Sequence, residues 1–235
     1  MVRIGNFLFH YRNGLFPLAF VLLLWKGRPL FDNDLIAAGV GFGVALIGQA
    51  LRAVTIGLAY IIRGGRNRQV YAEELVTGGL FSHCRNPLYV GNLLILAGVG
   101  LSANSLLFVA IGMPLFLFAY RAIVAAEENF LRQKFGQKFD DYCERVNRFL
   151  PNLAGIGKTV RGMEFNWQRL IVKEYGSTFA WTAGSLVLVI KNLWSSGNYT
   201  THSPLLQSLA GALALSIVAY AVARYLKKSG TLQAG

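Results

Sequence analysis

One apolar stretch that is too long for a single helix decides the fold. Residues 88–126 read LYVGNLLILAGVGLSANSLLFVAIGMPLFLFAYRAIVAA. A helix that spans a bilayer needs about 20 residues, and the Ser-Ala-Asn-Ser group at 102–105 favours a turn near the middle of the stretch. The stretch therefore predicts a hairpin of two transmembrane helices.

The composition of the whole chain also points to a membrane. Of 235 residues, 54% are hydrophobic and 14% are charged, and the mean hydropathy is +0.44. Soluble proteins carry about 25% charged residues, so both a soluble globule and a disordered chain are excluded. The formal net charge of +12 fits anionic lipid headgroups better than nucleic acid.

Four further apolar runs bring the expected number of spans to about six. The first extends from Gly14 to Trp25, and the second, from Leu35 to Ile62, is rich in glycines that let helices pack closely. The last two extend from about Gly176 to Leu193 and from Leu205 to Leu226. We predict an all-α polytopic membrane protein with a cytoplasmic amphipathic motif region after the hairpin.

The distribution of basic residues predicts the orientation. If both termini are cytoplasmic, 19 of the 23 Lys and Arg residues fall in inner segments and three fall in outer loops, as the positive-inside rule requires. We favour a bacterial inner membrane over the endoplasmic reticulum. Cys84 and Cys143 then lie on the reducing side, and we predict no disulfide.

One basic residue, Arg52, lies inside the second predicted span. An arginine at this depth is either a functional group or a side chain that extends to the headgroups. Both readings stay open from the sequence.

A polar segment with a helix-start signal precedes the hairpin. Residues 77–91 read TGGLFSHCRNPLYVG. Asn86 followed by Pro87 is typical of an N-cap and a first helical position. The helix N-terminus together with Arg85 would bind a carboxylate or phosphate, or Arg85 would contact lipid headgroups.

A second polar segment follows the hairpin. Glu127 and Glu128 either pair with basic residues or bind an ammonium group or ribose hydroxyls. Beyond them, apolar residues recur every three or four positions, which predicts an amphipathic helix with a potential break at Gly136. These residues are Leu131, Phe135, Phe139, Tyr142, Val146 and Phe149.

No metal site is predicted. The three histidines, His10, His83 and His202, lack the paired spacing of metal ligands, and neither cysteine belongs to a C-x-x-C motif.

Together the two polar segments resemble the signature of the isoprenylcysteine carboxyl methyltransferase family and of related phospholipid methyltransferases. That signature is Arg-His-Pro-x-Tyr-x-Gly before a hairpin, then Glu-Glu, then an aromatic stretch ending in Arg-x-x-Pro. The matching positions are Arg85, Asn86, Pro87, Tyr89 and Gly91, then Glu127, Glu128, Leu131, Phe135, Gly136, Phe139, Tyr142, Val146, Arg148 and Pro151. The family's histidine is replaced by Asn86, which removes a titratable group.

The resemblance implies S-adenosylmethionine as the methyl donor, bound on the cytoplasmic side, and a lipid-like acceptor from the bilayer. That acceptor is a prenylcysteine-type carboxylate or a phospholipid amine. The expected cofactor-binding residues are His83, Arg85, Asn86, Tyr89, Gly91, Glu127 and Glu128. Of these, Arg85 would bind the methionyl carboxylate, and Gly91 would leave room for the cofactor.

The expected catalytic residues are Glu128, Arg85 and Tyr89. Where the acceptor must lose a proton, Glu128 ranks first as the proton acceptor. No metal is required, because methyl transfer from a sulfonium is an in-line displacement that depends on alignment.

The resemblance divides the chain into three parts: N-terminal helices at 1–69, a methyltransferase core at 70–153, and an amphipathic linker with two C-terminal helices at 154–235. Two other functions stay open. One is an NADPH-dependent reductase of the sterol double-bond type, and the other is a non-catalytic lipid-binding or transport protein. A homo-oligomer formed through the C-terminal helices is a further open alternative.

Overall fold

Eight α-helices and one short β-hairpin make up the part of the chain that the computed structural model describes, which is residues 1–25, 27–58, 63–66, 69–195 and 199–232. The helices are α1 Val2–Ala19, α2 Asp34–Leu58, α3 Pro87–Ser102, α4 Met113–Phe135, α5 Gln137–Arg145, α6 Ile156–Arg161, α7 Trp167–Ser195 and α8 Tyr199–Lys228. The strands β1 Arg63–Arg66 and β2 Gln69–Ala72 pair antiparallel. Short 3₁₀ turns at Phe20–Leu23 and Gly79–Ser82 and a π-helical turn at Phe108–Gly112 complete the elements.

The protein is a helical membrane protein, as predicted. Within the described part of the chain, three helices are long and apolar enough to cross a bilayer: Asp34–Leu58, Phe108–Phe135 and His202–Lys228. α3 is also apolar but has 16 residues. The total of six spans stays a prediction.

The small-residue packing expected for the second span joins α2 to α3. A Cβ added at Gly41 would lie 2.3 Å from the backbone nitrogen of Ser102, and one at Gly48 would lie 2.6 Å from the carbonyl oxygen of Gly91. On the facing helix, a Cβ at Gly98 would lie 2.5 Å from the backbone nitrogen of Ala45. The two backbones therefore touch along most of the length of α3.

The first helix begins much earlier than the apolar run predicted, at Val2 rather than Gly14. Its polar first turns belong to the helix because they pack on α4. A Cβ at Gly5 would lie 1.9 Å from the carbonyl oxygen of Ala122.

The seventh helix also begins earlier than predicted, at Trp167 rather than Gly176. The preceding residue, Asn166, accepts a hydrogen bond at its Oδ1 from the Arg169 backbone N–H at 2.8 Å. The last four residues of the predicted second span, 59–62, lie outside the described residues.

The predicted hairpin turn at 102–105 is confirmed, and hydrogen bonds attach it to the loop that precedes α2. Asn104 takes a positive φ of 50°, a conformation that Asn tolerates better than most residues. Its Oδ1 accepts hydrogen bonds from the backbone N–H groups of Leu30 and Phe31, each at 2.9 Å. Its Nδ2 donates to Asp34 Oδ1 at 2.8 Å.

The predicted amphipathic stripe packs on the protein itself and breaks at Gly136. This glycine has φ 54°, ends α4 and starts α5. Leu131, Phe139 and Tyr142 are buried in one cluster with Ala72 of β2. The Tyr142 hydroxyl donates a 2.7 Å hydrogen bond to the carbonyl oxygen of Phe81, so α5 is fixed against the segment that precedes the hairpin.

Candidate functional site

A cavity of about 760 Å³ lies between α1, α2, α3, α4 and α7, within the usual size range of ligand sites. Its polar lining residues are Arg12, Asn13, Arg52, Arg85, Asn86, Tyr89, Asn92, Tyr120, Glu127 and Ser177. Its apolar lining residues are Phe16, Pro17, Phe20, Phe81, Leu88, Ile123 and Ala180. The cavity therefore offers both polar groups and apolar surface to a ligand.

The two polar segments meet beside this cavity through an ion-pair cluster. Arg85 Nη2 lies 3.2 Å from Glu128 Oε1. Arg148 donates to the same carboxylate from Nη2 to Oε2 at 2.6 Å and from Nε to Oε1 at 3.1 Å. The Glu128 residue is 4% exposed and does not line the cavity, so its two oxygens serve to hold the two guanidinium groups.

Arg85 is also attached to the end of α5. Its Nη1 donates to the carbonyl oxygen of Cys143 at 2.9 Å, and its backbone N–H donates to the carbonyl oxygen of Asn147 at 2.9 Å. Its Nε is buried and, among the described residues, has no hydrogen-bond partner. The guanidinium therefore retains an unsatisfied donor at the cavity wall, which is costly unless a further group supplies an acceptor.

Tyr89 and Glu127 form a second contact between the two segments. The Tyr89 hydroxyl on α3 donates a 2.7 Å hydrogen bond to Glu127 Oε1 on α4. Both residues line the cavity, and the Tyr89 ring lies 5.1 Å from the Tyr120 ring, centroid to centroid. Glu127, unlike Glu128, is therefore a carboxylate at the cavity surface.

Asn86 precedes the first residue of α3, as predicted, but its side chain does not cap the helix. Its Nδ2 donates to the carbonyl oxygen of Arg148 at 3.1 Å. Asn86 thus lines the cavity while linking the helix start to the end of the second segment.

His83 lies away from the cavity, which differs from its predicted place in the cofactor site. Its Nδ1 lies 2.6 Å from the carbonyl oxygen of Asn152, and its Nε2 lies 2.8 Å from Oγ1 of Thr159. Both ring nitrogens are engaged, so the imidazole holds the loop after α5 and α6 against the first segment.

Gly91 faces α2 rather than open cavity space, which corrects the expectation that it leaves room for a cofactor. A Cβ at Gly91 would lie 2.5 Å from Cγ of Arg52 and 2.9 Å from the carbonyl oxygen of Gly48. The missing side chain therefore makes room for the stem of Arg52.

Arg52 is part of a buried polar network that also contains Gln49, Asn92 and Glu174. Its Nη2 lies 2.5 Å from Glu174 Oε1, its Nε donates to Glu174 Oε2 at 2.8 Å, and its Nη1 donates to Asn92 Oδ1. Gln49 Nε2 donates to Glu174 Oε2 at 3.1 Å, and Gln49 Oε1 accepts a hydrogen bond from Trp181 Nε1 at 2.9 Å. Glu174 is a single acidic residue just before an apolar run, which could have marked it as a candidate. The sequence does not show that it lies near Arg52.

Both cysteines are free thiols. Burial raises the pKa of the Cys84 thiol, whose Sγ lies 3.4 Å from the carbonyl oxygen of Phe149. Burial also raises the pKa of the Cys143 thiol. Neither group has the depressed pKa of a reactive cysteine. Among the described residues, no cluster of three or more His, Cys, Asp or Glu side chains has the arrangement of a metal site.

Comparison with known proteins gives one matching family model and several similar proteins. The family model described as phospholipid methyltransferase matches residues 38–138. A nickel-cobalt-cadmium resistance protein of Alcaligenes xylosoxydans xylosoxydans is 30% identical over 155 residues, covering 64% of this chain and 70% of that protein. A cobalt-zinc-cadmium resistance protein of Cupriavidus metallidurans is also 30% identical, over 160 residues, covering 64% of this chain and 68% of that protein.

A plant relative carries the name of an enzyme. A probable protein-S-isoprenylcysteine O-methyltransferase of Oryza sativa subsp. indica is 33% identical over 118 residues, covering 48% of this chain and 60% of that protein. No solved structure matches significantly. The chain belongs to the family of membrane methyltransferases that contains the phospholipid methyltransferases and the isoprenylcysteine methyltransferases.

Proposed function

We propose that this protein is an S-adenosylmethionine-dependent methyltransferase that acts on a lipid-like acceptor at the cytoplasmic face of a bacterial inner membrane, with both termini in the cytoplasm. The observation that carries the proposal is the meeting of Arg85 with Glu128 and of Tyr89 with Glu127 beside one cavity. Membership of a membrane methyltransferase family and the two bacterial relatives support it.

The charges at the cavity wall suit the methionyl part of S-adenosylmethionine. That part carries a carboxylate and an ammonium group. Arg85 has a buried Nε with no partner among the described residues and would bind the carboxylate, while Glu127 would bind the ammonium group or the ribose. Asn86 and Tyr89 line the same wall and would orient these groups.

The bound cofactor would supply a methyl group on a sulfonium, and the protein would contribute alignment and exclusion of water. Of the two adjacent carboxylates, only Glu127 lines the cavity. We therefore assign any proton acceptance to Glu127, and we assign to Glu128 the positioning of Arg85 and Arg148. An acceptor that is already an anion needs no proton acceptor.

An apolar groove gives a lipid-like acceptor a place for its chain. A second cavity of about 540 Å³ lies between α1, α3 and α7 and shares Pro17, Phe20, Ser177 and Ala180 with the first. Its other lining residues are apolar except for Trp181: Val21, Leu23, Leu24, Ile95, Leu96, Val99, Trp181, Gly184, Val187 and Leu188. A hydrocarbon chain in this groove would place its polar end in the first cavity.

Methyl transfer to lipid tests the proposal. Membrane vesicles containing the protein are incubated with S-adenosylmethionine that carries a labelled methyl group, and the organic extract is analysed for label. We expect labelled lipid from vesicles with the wild-type protein and, at low S-adenosylmethionine concentration, about tenfold less label with the Glu127→Gln variant, because its binding of the cofactor is weakened. Label in neither, together with consumption of NADPH by the wild-type vesicles, would support the reductase instead.

A further inference from the structure

Arg52 crosses from α2 to the cavity through the space left by a glycine. The residue is part of α2, yet its guanidinium lines the cavity with residues of α3 and α4. Its Cγ lies 2.5 Å from the position that a Cβ at residue 91 would take, which is too close for any residue other than glycine unless Arg52 moves. Gly91 belongs to the sequence motif shared with the methyltransferase family, so the motif glycine admits an arginine from the neighbouring helix.

Contacts with Glu174 and Asn92 use three of the five N–H hydrogens of the Arg52 guanidinium. Its Nε and one Nη2 hydrogen bind the two Glu174 oxygens, and one Nη1 hydrogen binds Asn92. One hydrogen on each of Nη1 and Nη2 has no acceptor among the described residues. The side chain is 13% exposed, and Arg52 lines the cavity. An arginine that is fixed by a buried ion pair and still has free N–H groups at a cavity is positioned to bind a ligand, in contrast to an arginine that extends to the lipid headgroups.

The charges around the cavity favour a negatively charged acceptor. Four arginines, Arg12, Arg52, Arg85 and Arg148, line it or contact its lining, against the three glutamates Glu127, Glu128 and Glu174. Arg12 contacts the Phe9 ring at 4.1 Å, and no ion pair of Arg12 occurs within the described residues. Bound S-adenosylmethionine would add one positive charge, so an anionic acceptor would be stabilised where an ammonium would be repelled.

We propose that Arg52 binds an oxyanion in the headgroup of the acceptor and that Glu174 on α7 is the positioning residue that fixes Arg52 in the cavity wall. The oxyanion is a carboxylate or a phosphate. This inference rests on the proposed function for the role of the bound lipid. It also gives α7, which lies beyond residues 38–138 of the family match, a part in the acceptor site.

The bonds formed and broken in methyl transfer differ between a carboxylate acceptor and a phospholipid acceptor. A carboxylate oxygen would form the new O–CH₃ bond while the S–CH₃ bond breaks and its electron pair stays on sulfur, leaving a neutral ester and thioether. A phosphate would instead anchor a phospholipid whose uncharged amine nitrogen forms the N–CH₃ bond while the S–CH₃ bond breaks and its electron pair stays on sulfur; the methylated nitrogen then gives its proton to Glu127. Arg52 contacts the oxyanion in both cases.

Three probes that share a farnesyl group test the inference: farnesylthioacetate, farnesyl phosphate and farnesol. Their Kd values are measured with the full protein in phosphatidylcholine nanodiscs. We expect at least one anionic probe to bind the wild-type protein about tenfold more tightly than farnesol, because a hydrogen bond to a charged group is worth about 1.4 kcal/mol or more. Tighter binding of farnesylthioacetate would identify a carboxylate acceptor, and tighter binding of farnesyl phosphate would identify a phospholipid. Equal binding of all three would overturn the inference.

A double variant separates binding from folding. Removing Glu174 alone would leave a buried unpaired arginine and destabilise the protein, whereas replacing both partners with apolar side chains of similar size is often neutral. In Arg52→Met/Glu174→Met we therefore expect a folded protein whose preference for the anionic probe falls below about threefold. The exposed pair Glu144→Met/Arg145→Met is the control and should retain the preference. Retention of the preference in Arg52→Met/Glu174→Met would refute the role of Arg52.

Two glycine variants distinguish positioning from general packing. Gly91→Ala would place a methyl group 2.5 Å from Cγ of Arg52, whereas Gly98→Ala would place one 2.5 Å from the Ala45 backbone nitrogen, far along the same interface. We expect Gly91→Ala to abolish the preference for the anionic probe and Gly98→Ala to keep it. An equal loss of the anionic preference in both variants would show that the preference depends on the packing of α2 against α3 and not on the position of Arg52.

S-adenosylhomocysteine binding distinguishes the failure of this inference from the failure of the proposed function. If the anionic preference depends on Arg52 but S-adenosylhomocysteine does not bind, the lipid site stands and the methyltransferase proposal fails. If S-adenosylhomocysteine binds and the probes bind equally, the methyltransferase proposal stands and the role of Arg52 fails.

Discussion

The hydroxyl of Tyr89 lies 2.7 Å from Oε1 of Glu127, and this hydrogen bond joins the first turn of α3 to the last turns of α4. The two residues are far apart in sequence and lie on either side of a membrane hairpin. Their contact, together with the Arg85–Glu128 ion pair, gives the cavity polar groups from both segments that resemble the family signature. A site built from two segments predicts that its members act as a unit.

Tyr89→Phe tests this coupling. Loss of the hydroxyl removes the hydrogen bond that orients Glu127, so we expect the Kd for S-adenosylhomocysteine to rise about tenfold. Glu127→Gln should raise it by a similar factor, and the double variant should add little, because each change removes the same interaction. Calorimetric titration of the four proteins measures the coupling. Fully additive effects would mean that the two side chains act independently.

Glu128→Gln tests whether this carboxylate is structural. The change leaves Arg85 and Arg148 close together without their shared anion, and Arg85 is only 11% exposed. We expect the free energy of unfolding to fall by about 2 kcal/mol, less than for a fully buried pair because Arg148 is partly solvated. Thermal unfolding in detergent measures the effect. The exposed Glu144→Gln on α5 is the control, and an equal stability of both variants would contradict the structural role.

The α2–α3 contact offers a matched pair of glycines. A Cβ at Gly41 would lie 2.3 Å from the Ser102 backbone nitrogen, whereas one at Gly43 would meet nothing within 4 Å. Gly41→Ala forces the two backbones apart, and we expect a loss of about 1–3 kcal/mol of stability. Gly43→Ala should be neutral or slightly stabilising, because Ala is the better helix former. Thermal unfolding of both variants is the measurement, and equal losses would show that the helices are not in contact at Gly41.

The two thiols are expected to be unreactive at neutral pH. Burial raises the pKa of Cys84 and of Cys143, and the thiolate is the reactive form. Alkylation by iodoacetamide should therefore be slower than for a free thiol at pH 7 and should accelerate only as the pH rises above the ordinary thiol pKa. The same shift implies that stability falls as the pH rises from the unfolded pKa to the folded pKa, because the unfolded state loses its proton first. Rapid labelling of Cys84 at pH 7 in the folded protein would contradict its burial.

The sequence predicts the hairpin and the helix start at Pro87 well, because both depend on local signals. Residues 102–105 carry the turn, and the Asn-Pro pair marks the start of α3. The start of α1 at Val2 was missed because the packing of Gly5 on α4 is a long-range effect. Hydropathy does not report which polar residues a neighbouring helix will cover.

Four of the expected cofactor-binding residues meet at one cavity, and their roles in binding stay predictions. Arg85, Asn86, Tyr89 and Glu127 line one cavity, but Glu128 is occupied by two arginines and His83 holds a loop. Two adjacent glutamates point to different sides of a helix, and the sequence does not show which side faces the cavity. Glu174 was missed because its partner, Arg52, is 122 positions away, and no spacing rule connects them.

Calorimetric titration of the purified full chain with S-adenosylhomocysteine, and separately with NADPH, tests the central claim most directly. The account predicts binding of S-adenosylhomocysteine with a Kd in the micromolar range or below, a loss of about tenfold or more in Arg85→Ala and in Glu127→Gln, and no change in the exposed Glu144→Gln. No heat with S-adenosylhomocysteine, together with saturable binding of NADPH, would contradict it.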